Sequence, residues 1–86
     1  YDYTPENGGV MLVVVPGATS APQAVLGFAA NGAVTLNGVT PAGGISLTQD
    51  NASTLNIYAS GGKVRFQNKV GSTINVIIAA CKFFAA

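Results

Sequence analysis

Short apolar runs alternate along this chain with clusters of glycine, proline and asparagine, and within most runs apolar and polar residues follow a period of two, that of strands. The clearest stretch is Thr54 to Phe84, TLNIYASGGKVRFQNKVGSTINVIIAACKFF. With Gly61-Gly62 as a two-residue turn, Ala59 lies opposite Val64 and Ile57 opposite Phe66, which places the apolar residues of both arms on one face. With Lys69-Val70-Gly71 as a three-residue loop, Phe66 lies opposite Ile74 and Val64 opposite Val76, and Gly71 takes the left-handed position. The pattern therefore predicts a three-stranded antiparallel meander. Leu55, Ile57, Ala59, Val64, Phe66, Ile74, Val76 and Ile78 face in, and Asn56, Tyr58, Arg65, Gln67, Thr73 and Asn75 face out. Beyond Ile77 apolar residues point both ways, so the tail through Phe83-Phe84-Ala85-Ala86 is expected to dock on the core or on another subunit.

Upstream, Tyr1 to Gly9 shows no hydrophobic period and reads as an arm or linker before one domain, residues 10–86. Val10 to Val15 is a continuous valine-rich run between Gly8-Gly9 and Pro16-Gly17, which predicts a strand covered on both faces. A neighbouring subunit or the arm is the expected cover for the second face. Pro16 to Gln23 is turn material. AVLGFAANGAVTLNG, which follows, reads as a hairpin with a three-residue loop, Ala30-Asn31-Gly32, because only that length sets Phe28 opposite Val34 and Leu26 opposite Leu36. Asn37-Gly38 and Pro41 to Gly44 are breaks that leave Val39-Thr40 as a stub. Ile45 to Gln49 alternates with Ile45 and Leu47 inward, and a turn spans Asp50 to Ser53. The fold class is all-β, a small antiparallel sandwich or jelly-roll-like domain of seven or eight short strands.

Composition changes this picture in one respect. Only 8% of the 86 residues are charged, against roughly 25% in an average soluble domain. A chain this small needs support beyond its own core, and the usual supports are disulfides, a metal or a partner. One cysteine, Cys81, allows no internal disulfide, and the absence of histidine removes the usual zinc sets. Oligomerisation is the expected support. A net charge of +1 is too weak a field for nucleic acid or an anionic membrane surface, and no apolar run is long enough for a spanning helix. Because the chain begins with tyrosine, either a leader has been removed or, the favoured expectation, it is a piece of a longer chain.

No catalytic constellation can be assembled without histidine from Asp2, Glu6, Asp50 and Cys81, so no enzyme, metal or cofactor is expected. Cys81 reads as a small buried hydrophobe. Asp50-Asn51 reads as a turn rather than a calcium site, which needs more carboxylates. The outward face with Asn56, Tyr58, Arg65, Gln67, Thr73 and Asn75 has two readings. It is an ordinary solvated sheet surface with a Tyr58–Arg65 cross-strand contact, or a sugar-binding surface in which amides pair with hydroxyls and the ring stacks on a C–H face.

The segment LNIYASGGKVRFQNKVGSTINV, with its Gly-Gly hairpin leading into a Gln-Asn-X-X-Gly-Ser turn, resembles the β-rich C-terminal modules of bacteriophage tail fibres, tailspikes and related virion appendage proteins. The resemblance covers about a third of the chain. It implies a non-enzymatic structural or adhesive module, outside the cell or on a virion, that forms a homo-oligomer, favouring a trimer, with other virion proteins or a cell-surface glycan as partners. A capsid decoration or cement protein whose arm reaches a neighbour, and a carbohydrate-binding module using the Tyr58/Arg65 face, are the alternatives.

Overall fold

The computed structural model describes residues 1–16, 21–40 and 44–83, the Thr40 side chain excepted, and shows an all-β sandwich. Its strands are β1 (Asp2–Tyr3), β2 (Gly9–Val14), β3 (Gln23–Phe28), β4 (Val34–Thr40), β5 (Ile45–Ser46), β6 (Leu55–Ser60), β7 (Lys63–Asn68) and β8 (Ile77–Lys82). The first sheet has the order β1-β7-β6-β5 and the second β4-β3-β2-β8. Every pairing is antiparallel except β5 with β6.

Alternation builds the core. Met11 and Val13 of β2 with Leu26 and Phe28 of β3 point from the second sheet towards Leu55, Ile57, Val64 and Phe66 of the first, and all belong to one buried apolar cluster. Ile45 is buried in it and Leu47 packs at its margin, as their spacing predicts.

Both hairpins have the expected registers. Gly61 (φ 59°) and Gly62 (φ 77°) form the left-handed pair that a two-residue turn requires, and Ile57 pairs with Phe66. In the other hairpin Phe28 pairs with Val34 and Leu26 with Leu36, and Gly32 takes φ 90°. A side chain at Gly32 would also strike the Lys63 backbone, so this glycine lets the two hairpin tips, one from each sheet, approach. The register shifts between Val25 and Leu26, so Asn37-Gly38 is absorbed as an irregularity within β4 rather than ending it. Val39 is thus part of a full strand, not of a stub.

The third meander strand is not there. Gly71 is left-handed, φ 101°, as expected, but the chain then crosses to the second sheet, where β8 pairs with β2. The edge of β7 is already taken. Asp2 and Tyr3 pair with Arg65 and Val64, and the Phe66 amide donates to the Tyr1 carbonyl at 2.8 Å. Ile74, Val76 and Ile78 still pack on the core, so their inward assignment holds on a different route. Ala59, one residue from the end of β6, is exposed rather than inward.

Val10 to Val15 also differs from expectation. Met11, Val13 and Val15 are buried, but Val10 and Leu12 are exposed, so among the described residues only one face of β2 is covered. The turn residues 17–20, the break at 41–43 and the docking of Phe84 to Ala86 lie outside the described residues.

Gly9 fixes the β2–β8 contact. A Cβ there would meet the Cys81 carbonyl and lie 2.9 Å from the Lys82 Cα, backbone atoms that cannot swing aside. Gly9→Ala is expected to push the end of β8 off β2 and cost about 1–3 kcal/mol, as overpacking does. Hydrogen exchange at the Phe83 amide, which donates to the Gly8 carbonyl at 2.8 Å, should accelerate while the Ile57 amide in the core strand keeps most of its protection.

Candidate functional site

The six outward polar residues do not form one open surface. Asn56 lies opposite Gln67 and Tyr58 opposite Arg65, as the register predicts. Asn56, however, is 0% exposed and Tyr58 is buried too, which corrects their outward, solvated assignment. The cause for Asn56 is the Thr48–Thr54 turn, which folds over that end of the sheet. The Asn56 Nδ2 donates to the Asn51 carbonyl at 2.9 Å and to the Gln67 Oε1 at 3.0 Å, while its Oδ1 accepts from the Thr54 hydroxyl. Gln67 is bound in turn to Asp50, accepting from its backbone amide at 2.8 Å and donating to its Oδ1 at 2.8 Å. These amides fasten the turn, and Asp50 and Asn51 take their expected place in it.

Thr73 and Asn75 are exposed on the crossing between sheets and line a shallow depression with Val15 and Pro16. They do not adjoin β7. The structure thus brings Asn56, Gln67, Tyr58 and Arg65 together and sets Thr73 and Asn75 apart from them.

Arg65 is engaged by the N-terminal segment. Its Nε and Nη2 donate to the two carboxylate oxygens of Asp2 at 2.8 and 3.1 Å, a forked pair that fixes β1 at the sheet edge. Tyr1 and Tyr3 flank Asp2; Tyr3 is half-buried and edge-on to Phe28 with ring centroids 5.6 Å apart, while Tyr1 stays largely exposed beside the Phe66 ring. The Tyr-X-Tyr spacing was the strand signal in a segment otherwise read as an arm. Lys82 reaches back to Glu6 at 3.0 Å and lies over the Tyr3 ring.

Hydrogen bonds from Arg65 hold the Asp2 carboxyl below its ordinary value. A lowered folded value means that the pair stabilises β1 above the unfolded aspartate pKa, about 3.9, and that this contribution is lost as pH falls through the folded value. Lys82 has the opposite sign. Glu6 raises its pKa, so its contribution is complete below the unfolded lysine value and is lost as pH rises through the folded one. Asp2→Asn is expected to speed exchange of the Phe66 amide at pH 7 and to flatten the acid dependence of that exchange, which in the parent chain rises below about pH 4 relative to the intrinsic rate.

A half-open cavity of about 350 Å³ between the sheets is lined by Tyr1, Leu55, Phe66, Asn68, Ile74, Val76 and Ile78. Among the described residues no three acidic, histidine or cysteine side chains lie close enough together to hold a metal ion.

Among the described residues the outer face of the second sheet is apolar and exposed. The register sets Leu12 between Ala79 and Val25, Val10 between Cys81 and Gly27, and Val14 between Ile77 and Gln23. Leu12 is 41% exposed, Val25 42% and Ile77 56%. No residue in these three rows is charged. Cys81 is exposed on this face rather than buried as a small hydrophobe. A strand pattern that read as apolar on both sides was the signal for this face, and what it marked lies outside the chain's own core. No protein-family model, curated protein or solved structure matches this chain.

Proposed function

We propose that this chain is a non-enzymatic structural or adhesive module that works as a homo-oligomer on a virion-like assembly. The observation that carries the reading is the uncharged apolar outer face of the second sheet, with Val10, Leu12, Val25 and Ile77 open to solvent in the single chain. A face of this kind, in a domain with so few charges, is suited to burial between subunits rather than to catalysis. The virion setting rests on the resemblance of LNIYASGGKVRFQNKVGSTINV to the C-terminal modules of phage tail fibres and tailspikes.

The decoration-protein reading, in which residues 1–9 reach a neighbour, ranks second, because Asp2 and Tyr3 are held on the chain's own β7. The sugar-binding reading ranks third, because the Asn56 and Gln67 amides are engaged within the fold. Native mass spectrometry at micromolar concentration tests the main reading. A discrete multimer is expected, and a stable monomer contradicts it.

A further inference from the structure

We infer that Asn37 is a site of spontaneous backbone modification, converting to aspartate and isoaspartate through a succinimide ring closed with Gly38. The Asn-Gly pair occurs at Asn7-Gly8, Asn31-Gly32 and Asn37-Gly38. Glycine in the second place has no Cβ to shield its backbone nitrogen, which eases ring closure. At Asn37 the Gly38 nitrogen gives up its proton and attacks Cγ. The new N–Cγ bond replaces the Cγ–Nδ2 bond, and Nδ2 leaves with that proton as ammonia. Water then opens the ring at either imide carbonyl. One opening gives aspartate and the other isoaspartate, whose main chain is longer by one carbon.

The fold separates the three pairs. The Gly8 amide donates to the Pro5 carbonyl at 2.8 Å and the Gly32 amide to the Ala29 carbonyl at 2.9 Å, so both nitrogens are held inside tight turns. Both glycines are buried and left-handed, and the place of a Cβ is already filled by backbone, that of Phe28 at Gly8 and of Lys63 at Gly32. The Asn31 Oδ1 is engaged as well, accepting from the Ala33 amide at 3.0 Å. Asn37 and Gly38, by contrast, are both exposed, and among the described residues nothing lies within 4 Å of the Cβ position at Gly38. The ladder passes from Leu26 opposite Leu36 to Val25 opposite Gly38 and skips Asn37, the extra residue of a bulge. Gly38 still faces Val25, but β4 is the edge of its sheet, so the strand opens there without breaking a second ladder. The Asn37 Nδ2 lies 3.7 Å from the Cβ position at Gly27, which belongs to the uncharged rows of the outer face. Conversion therefore sets a carboxylate beside those rows and cancels the net charge of +1.

The test incubates the parent chain and Gly38→Ala in mildly alkaline buffer, folded and in urea, at a dilution that keeps any contact through the outer face from shielding Asn37. Peptide mapping by mass spectrometry follows each asparagine, and methylation by an isoaspartate methyltransferase marks the isoaspartate product. In the folded parent Asn37 is expected to convert at least about tenfold faster than Asn7 or Asn31, because an edge strand opens more readily than a buried turn. In urea, where the turns and the ladder are gone, the three rates are expected to converge. Gly38→Ala adds a methyl in open space without a left-handed φ, so it should keep the parent circular dichroism and slow conversion at Asn37 about tenfold or more. If that variant fails to fold, its rate in urea still reads the ring closure. A folded parent in which Asn7 or Asn31 converts first, or in which the lead of Asn37 is smaller than tenfold, overturns the inference. A lead that persists unchanged in urea overturns it too, since the fold would then not be its cause.

Discussion

Ile57→Ala is expected to destabilise the domain by about 3 kcal/mol, within the roughly 2–5 kcal/mol range for truncating a buried aliphatic side chain. Ile57 is fully buried, pairs across the strand with Phe66, and sits on β6 with β5 and β7 on either side. Its neighbours cannot collapse into the vacated space without moving that central strand. At about 0.05–0.15 kcal/mol per residue, a domain of this length has only about 4–13 kcal/mol in total, so the single truncation removes a large share. Urea denaturation should show a lower midpoint with an unchanged slope. Ala59→Gly on the same strand, at an exposed position, should cost about 1 kcal/mol, chiefly through backbone entropy.

Asn56→Ala ranks next, with an expected loss of about 2–3 kcal/mol. The mechanism is different, because little apolar area is removed. The truncation removes three hydrogen bonds, to the Asn51 carbonyl and the Gln67 Oε1 and from the Thr54 hydroxyl, each worth about 0.5–1.5 kcal/mol net, although the Asp50 amide still serves Gln67 and Thr54 and Asn51 still bond each other. Asn56→Asp should be at least as damaging at pH 7, because a carboxylate oxygen would replace the donor that faces two acceptors and would carry a charge at a fully buried site. Thermal melts of the two variants, with exchange at the Asp50 amide as a local probe, separate loss of the turn from loss of the whole fold.

Residue patterns revealed faces more faithfully than partners. Gly61-Gly62 and Gly32 each forced one loop length, and with alternating arms on both sides the two hairpins could be registered residue by residue. The same parity correctly turned Ile74, Val76 and Ile78 inward, but parity says nothing about which strand lies alongside. The edge of β7 went instead to Asp2 and Tyr3, through a contact between residues 63 positions apart. Local periodicity cannot encode such a contact, although the Tyr-X-Tyr spacing was a visible trace of it. Asn56 looked solvated because its neighbours along the strand are apolar. Its burial is imposed by a turn whose Asp50, Asn51 and Thr54 supply or receive its hydrogen-bonding network. Val10 to Val15 was legible in composition and misleading in location, since among the described residues only Met11, Val13 and Val15 are buried and Val10 and Leu12 are exposed.

Small-angle X-ray scattering of the parent chain near 100 µM tests the central claim most directly. One copy has a backbone radius of gyration of 12.3 Å. If the chain self-associates, the forward scattering at a given mass concentration rises at least twofold and the radius rises above the single-copy value. A particle that keeps the single-copy mass and a radius near 12.3 Å would contradict the account.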